Sequence, residues 1–523
     1  MEKLWFLRVY IGNLRLYCWA RKDRRMLKSP LMKLLAAVAF CVGCQSQHGL
    51  ASAYAANVDP DVRVSQQSEK QDHLPILDVN NRLPVAYRKL AHDIFRELVE
   101  INTTSALGTQ RAAEVLRARL ITAGIDDVKV LGPSPEKANL IVRLPGTGKK
   151  RPLLFIAHLD VVDARREDWT FDPFQLTEHE GYLYGRGTID IKNEVTNLVV
   201  NLIRLKAEGF RGDRDIILAL TADEEVGGEG GIQWLLQNHR TLIDAEFCVN
   251  PDAGGGDIKD GKHIQNSVQT AEKVYLSLQL EVRNRGGHSS EPTKDNAIYH
   301  LAEGLARLAK FEFPIHVNET TAEYFGRLAE KETGLIAEDM RAVGNDPSNT
   351  AAAARLCAAS ASNNALLRTT AVATQITGGH AENALPQRAT AIVNCRILPE
   401  ESPDEVQATI VQVLQNDQIE VTKLTDPLPS PSSPIDPAIF QVVEQVTTEM
   451  WPGVLVLPVM TASASDGLHV RSAGIPVYGI SGMFYEDEDS SRAHGQNERI
   501  AIASFFDGIE FMYRLMKALI SAK

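Results

Sequence analysis

Two divalent cations held a few ångströms apart need a carboxylate that bridges them and nitrogen or oxygen ligands on either side. The 523-residue chain carries such a set in order. His158-Leu-Asp160 closes the apolar run Pro152–Ala157, and Asp190, Glu224, Glu225 and Asp252 follow at similar strand-to-loop junctions. Residues two apart on a strand share a face, so Asp160 is expected to fix the His158 tautomer through the ring nitrogen that faces away from metal. Asp190, in Gly185-Arg-Gly-Thr-Ile-Asp190, is the best bridge, and a helix N-cap role is compatible with it. Of the adjacent pair Glu224-Glu225, one can coordinate metal while the other serves as base for a water; a solvated acidic turn is the plain alternative. Asp252 ends a further apolar strand and competes with an ordinary turn role. His494 is preferred as the second histidine ligand over His469, which falls in a helical turn and is expected to be partly buried and hydrogen-bonded. His179, His239, His263 and His316 have no acidic or glycine-rich context and are read as surface or structural residues.

Elements must bring these residues together. Helical spacing begins at Leu90 and again over 112–123, and strand character appears over 128–131, 140–144 and 153–157. A helix after Asp190, a strand over 216–220, a helix around Trp234 and a strand over 245–249 continue an alternation that implies a central, mostly parallel sheet flanked by helices. Such sheets bind ligands beyond the carboxyl ends of their strands, where His158, Glu224 and Asp252 fall. After Gly261 the texture changes. Strands over 273–283, 371–376, 390–397 and 419–423, with helices over 295–308 and 404–414, predict an inserted α+β unit. The Ala-rich stretch 350–367 is expected to pack as helix. Beyond the Pro-rich segment 427–434 the α/β texture returns, with a helix over 440–450, strands over 454–459 and 476–480 and a final helix over 501–519. The expected organisation is 1–55 signal region, 56–84 linker, 85–272 and 429–523 two parts of one catalytic domain, and 273–428 an inserted α+β domain.

A formal charge of -12 and 44% hydrophobic content argue for a globular chain without a nucleic-acid partner. Nine basic residues against Glu2 and Asp23 fill the first 55 positions, and Lys33 precedes the apolar stretch 34–43, which is too short to span a membrane. Export to the periplasm or exterior is expected, with cleavage after Ala53-Tyr-Ala55 and lipid anchoring at Cys44 as the alternative. Arg24-Arg25 resembles a twin-arginine signal, and Met26 or Met32 is a possible start. Cys248, Cys357 and Cys395 show neither a disulfide framework nor a thiolate metal spacing and are read as small buried hydrophobes.

The series His158-Leu-Asp160, Gly185-Arg-Gly-Thr-Ile-Asp190, Asp223-Glu-Glu225, Asn250-Pro-Asp252, Gly286-Gly-His-Ser289, Asn383-Ala-Leu-Pro386 and His494-Gly, from about Pro84 to the C-terminus, resembles a metallopeptidase family. It is the zinc-dependent family of aminoacylase, acetylornithine deacetylase, succinyl-diaminopimelate desuccinylase and glutamate carboxypeptidase, in its carboxypeptidase-S-like branch. The resemblance implies His158, Asp190 and Asp252 on one Zn2+ and Asp190, Glu225 and His494 on the other, with Co2+ or Mn2+ as alternatives. It implies Glu224 as general base, residues 273–428 as a lid and dimerisation domain, His288 as an oxyanion stabiliser reaching across a homodimer, with a turn residue after two glycines as its plain alternative, and a cis peptide after Asp190. Asn383 and Arg396 match positions that hold polar groups of substrate, with a structural ion pair as the other reading of Arg396. Asp257 and the insertion over about 316–368 depart from the family's minimal pattern and bear on substrate choice.

The expected activity is hydrolysis of the amide bond of a peptide or N-acyl amino acid with a free carboxylate. An aminopeptidase on the same scaffold is the alternative within the class. A catalytically dead binding or dimerisation protein would lack a ligand or the base, and none is missing from the series. A serine hydrolase built on Ser465 and Asp466 lacks the Gly-x-Ser-x-Gly elbow.

Overall fold

A computed structural model describes residues 5–11, 14–20 and 82–521. The apolar stretch 34–43, the cleavage pattern at Ala55 and Cys44 lie outside the described residues. Trp5–Ile11 pairs antiparallel with Leu14–Ala20.

From residue 82 onward, Leu153–His158 is the strand on which the rest of the fold is organised. Its six residues are all buried, because both faces of the sheet are covered. It runs parallel to Ile216–Thr221 on one side and to Phe247–Val249 on the other, and Val477–Tyr478 extends the parallel set. Asn139–Leu144 and Val128–Leu131 add an antiparallel edge, completing six strands. One face is packed by Val85–Glu100, Lys192–Ala207 and Ile502–Ile520, where Phe95 stacks on Phe505 with ring centroids 4.6 Å apart. The other carries Ile232–Asn238 and Asp466–Ser472, against Ile156, Ala219 and Cys248. Cys248 and Cys395 are buried and free, and Cys357 is half-buried, in agreement with their hydrophobic reading.

A second sheet is wholly antiparallel, in the order Thr370–Gly378, Arg388–Ile397, Val274–Arg283, Ile419–Lys423. Alternation along Arg388–Ile397 buries Ala389, Ala391, Val393, Cys395 and Ile397, and helices Ala297–Leu308 and Pro403–Leu414 cover them. A third sheet of four strands carries Lys262–Glu272, which lies parallel to Leu455–Thr461. Residues 316–368 hold four helices, Glu319–Leu328, Gly334–Asn345, Thr350–Ala359 and Ala361–Leu367, around Phe325, Met340, Val343 and Leu356. The insertion therefore has its own small core. Arg327 ties it to the C-terminal part of the chain, bonding Glu444 and donating to the Val456 carbonyl at 3.1 Å. Among the described residues no helix is long and apolar enough to cross a membrane.

Candidate metal centre

His158 ends the central strand with its ring buried. Its Nδ1 donates to the main-chain carbonyl of Asp160 at 2.9 Å, leaving Nε2 to face Asp190 Oδ1 at 3.0 Å. The tautomer is therefore set as expected, but by another atom. The Asp160 carboxylate lies 3.7 Å from the ring, beyond hydrogen-bond reach. It accepts instead from the backbone N–H groups of Glu224 at 3.2 Å and Glu225 at 3.1 Å. Asp160 thus orients His158 through its backbone and caps the acidic turn through its side chain. The strand ends at His158, so the alternation that would carry the Asp160 carboxylate to the ring's face no longer holds at Asp160.

Asp190 precedes helix Lys192–Ala207, and the Asp190–Ile191 peptide is cis. Its Oδ1 faces His158 and its Oδ2 faces His494 Nε2, at 3.0 Å each. His494 Nε2 also lies 2.9 Å from Glu225 Oε2. Two groups of donor atoms result, His158 with Asp190 and Asp252, and Asp190 with Glu225 and His494, in each of which the atoms lie within 4.8 Å of one another. They share Asp190, one oxygen toward each histidine. Asp252 enters from the turn Pro251–Ala253, directly after Phe247–Val249.

The electrostatics of this cluster fit cations. Burial, opposed by His158 and reinforced by Asp190, Asp466 and Glu225, pushes the Asp252 carboxyl up to about 8. Burial likewise holds Glu224 well above the ordinary glutamate value. Hydrogen bonds that its ring donates to Asp190 and Glu225 push His494 up to about 10. Burial resists protonation of His158, yet Asp190, Glu224 and Asp252 raise it well above its usual value. Packed this closely, the carboxylates are relieved only by positive charge, which protons supply poorly and divalent ions supply well. Glu225 Oε1 is also buried without a hydrogen-bond partner. Mixed imidazole and carboxylate donors of this kind suit Zn2+.

A buried ion pair holds the two ligand loops together. Arg186 donates from Nη1 to Glu498 Oε2 at 2.7 Å and from Nη2 to the carbonyl of Gly495 at 3.1 Å. Glu498 also accepts from the backbone N–H of Gly187 at 3.1 Å, Ile189 at 2.6 Å and Asp190 at 3.1 Å. Glu498 escaped the sequence reading because a lone Glu after the His494 motif reads as a surface acid; its completely buried position is a tertiary fact.

The remaining expected site residues lie apart from the cluster. His288 and Asn383 are neighbours in the antiparallel pair Gly287–His288 with Ala384–Leu385, where Ser289 N donates to the Asn383 carbonyl at 3.1 Å. The His288 ring is exposed and bonds Ser290 Oγ at 2.6 Å. Arg396 donates to the Ala462 carbonyl and lies over the Tyr275 ring, 4.7 Å from its centroid, so a contact to main chain replaces the structural ion pair considered for it. His469 is half-buried, packs with Nε2 against Gly228 and belongs to neither donor group. Ser465 caps helix Asp466–Ser472 and donates to Glu272 Oε1 at 2.6 Å, which removes it as a nucleophile.

Fold and cluster together define a metallohydrolase, an α/β sheet with clustered histidines and carboxylates at the carboxyl ends of its parallel strands. Residues 154–518 match the model of peptidase family M20/M25/M40, and the chain belongs to that family, whose members hydrolyse amide C–N bonds. Human N-fatty-acyl-amino acid synthase/hydrolase PM20D1 is 30% identical over 392 residues, covering 70% of this chain and 74% of that one. Probable carboxypeptidase S-like 2 of Dictyostelium discoideum is 27% identical over 377 residues, covering 70% and 71%. The M20 family metallo-carboxypeptidase Sso-CP2 from Sulfolobus solfataricus shares the fold, with a TM-score of 0.60 at 19% identity over 82% of this chain and 98% of that one.

Proposed function

We propose that this chain is an exported dinuclear metallohydrolase that cleaves the amide bond of a peptide or N-acyl amino acid carrying a free carboxylate. The observation that carries the reading is the pair of donor groups sharing Asp190. His158, Asp190 and Asp252 would hold one ion and Asp190, Glu225 and His494 the other. When bound, two Zn2+ ions, or Co2+ or Mn2+ in their place, would lower the pKa of a water and polarise the scissile carbonyl. Glu224 belongs to neither group, and its backbone N–H is held by Asp160. Its carboxylate takes the proton of the attacking water and passes it to the leaving amine, a role suited to a carboxyl that burial holds well above the ordinary glutamate value.

Residues 273–428 act in this reading as the lid. His288, whose ring is exposed and bonds its neighbour Ser290, is supplied to the oxyanion by a second copy. The edge strand Thr370–Gly378 supports such a homodimer: it bears no charge and exposes Val372 and Ile376, beside exposed Ile298 and Tyr299 of the adjacent helix. Asn383 binds the polar groups of the substrate, and the N–H groups that Arg396 does not use on Ala462 are directed at its carboxylate. The relatives' names, an N-fatty-acyl-amino acid hydrolase and a carboxypeptidase, support a carboxylate-bearing substrate. Export rests on Lys33, the apolar stretch after it and the Ala53-Tyr-Ala55 pattern.

The test is Glu224→Ala assayed beside wild type on dipeptides and N-acyl amino acids with free or amidated C-termini. Turnover should vanish while metal content by elemental analysis stays normal, and amidation should abolish cleavage by wild type. Full activity in the variant would remove Glu224 as base, and cleavage of amidated substrates would remove the carboxylate requirement.

A further inference from the structure

The short helix Asp466–Ser472 touches two parts of the molecule. On one side are the two places where the chain crosses between the first and second sheets. The outgoing crossing is the end of Lys262–Glu272, and the returning one is the strap at Ser433, whose backbone N–H donates to the Thr270 carbonyl at 2.8 Å. Arg471 grips both. Its Nη1 pairs with Glu272 Oε2 at 3.1 Å, its Nη2 donates to Gln269 Oε1 at 2.6 Å and its Nε donates to Ser433 Oγ at 3.2 Å. All four residues are buried.

On the other side are the catalytic loops. Asp466 Oδ2 accepts from Thr221 Oγ1 at 2.6 Å, and Thr221 is the register partner of His158. Ser465 Oγ accepts from Asn250 Nδ2 at 3.1 Å, two residues before Asp252. His469 Nε2 and Asp466 Oδ1 come within 3.6 Å and 3.3 Å of where a side chain on Gly228 would begin. Gly227 and Gly228 close the turn that carries Glu224, with φ of 105° and 76° beside Asp223 at 62°. A turn in these conformations is held by what surrounds it. Asp160 supports it from the strand side, and His469 packs against it from the helix side.

We propose that helix Asp466–Ser472 is a positioning element that couples the orientation of the lid to the placement of Glu224. Arg471 senses the two crossings, and His469 and Asp466 brace the turn and the strand end. The inference rests on Glu224 as the base. A shift of the lid on its crossings moves Arg471, and through one rigid two-turn helix it moves His469 against the turn at Gly228. Coupling of this kind needs contiguous contacts, which the buried bonds of Arg471 and Asp466 and the packing of His469 against Gly228 supply here. Displacement of a base by about 1 Å costs up to about 100-fold in rate, so the brace has a kinetic signature.

The experiment uses the full chain loaded with zinc and the best substrate of the panel above. His469→Leu removes the ring nitrogen that faces Gly228 and is expected to lower kcat at least tenfold, with KM within twofold and metal content unchanged. His469→Gln restores a nitrogen near Nε2 and should keep kcat within about threefold of wild type. Arg471→Lys keeps the charge opposite Glu272 but cannot also reach Ser433 and Gln269, and should lower kcat with metal retained; Ser433→Ala takes its place if that variant does not fold. The double variant should be no slower than the slower single, because both act through one turn. Full kcat in His469→Leu, loss of metal from it, or losses that multiply in the double variant would overturn the proposal. Glu224→Gln measured alongside separates the two readings. If it is active the base assignment fails; if it is inactive while His469→Leu runs at full rate, only the coupling fails.

Discussion

Glu498→Gln is the substitution whose consequence can be worked most fully. Oε1 of Glu498 accepts from the N–H groups of Ile189 and Asp190, and Oε2 accepts from Arg186 and the N–H of Gly187. A glutamine has the same shape but one acceptor oxygen, so one pair of donors would face an NH2 group and Arg186 would lose its buried counter-charge. Removing one partner of a buried ion pair costs about 3–5 kcal/mol, in part because the remaining charge and N–H donors stay desolvated. Unfolding entropy of about 2.1 cal/mol/K per residue, over the roughly 440 residues from 82 to 521, converts this to a fall in melting temperature of about 3–5 °C. Because Glu498 fixes the backbone of Asp190, metal affinity should fall as well, by about 10- to 100-fold. Calorimetry of the zinc-loaded and metal-free protein, with titration of zinc into the latter, measures both. As control, Asp93→Asn removes the exposed pair with Lys89 and should change stability by less than about 1 kcal/mol. A Glu498→Gln variant that melts within one degree of wild type and binds zinc equally well would refute the view that this ion pair holds the site together.

Three further outcomes follow from the same structure. In the metal-free protein His494 is raised to about 10 from 6.5, so its bonds to Asp190 and Glu225 stabilise the fold fully below about pH 6.5 and lose that effect as pH rises through 10. Zinc must displace this proton; uptake should tighten from pH 6 upward with proton release seen by titration calorimetry in two buffers, and pH-independent binding would contradict the assignment. Gly231→Ala would place a methyl 1.8 Å from the Ala222 carbonyl oxygen, and thermal unfolding should show a loss of about 2 kcal/mol or more. Val372→Lys with Ile376→Lys should convert a dimer to monomers in sedimentation and reduce turnover without loss of metal; wild type that sediments as a monomer at micromolar concentration would remove the role given to the second copy's His288.

Much of the fold was legible because its pattern is local. The six residues of Leu153–His158 are apolar up to the ligand, as a strand buried on both faces requires, and Ile419–Lys423 falls at the bounds its alternation implies. Lys262–Glu272 was not legible: its first half is polar, and it becomes a strand because Leu455–Thr461, almost two hundred residues later, lies beside it. Helices Glu319–Leu328 and Gly334–Asn345 were missed within an insertion read only for its Ala-rich end, although the Asn318 capping box is a local signal for the first.

For the site, residue type and order were enough to pick out side chains that the fold brings together as possible metal donors, because histidines and acids at the ends of parallel strands converge at one edge of the sheet. Which oxygen does what was decided in three dimensions. The Asp160 carboxylate caps the Glu224 turn while its carbonyl orients His158, Glu498 and Arg186 lock two loops more than three hundred residues apart, and Arg471 gathers both crossings of the chain. The physical reason is common to all three. A charged or polar side chain far along the chain acquires its role from the partners that burial forces on it, and those partners are known only once the chain has folded back on itself.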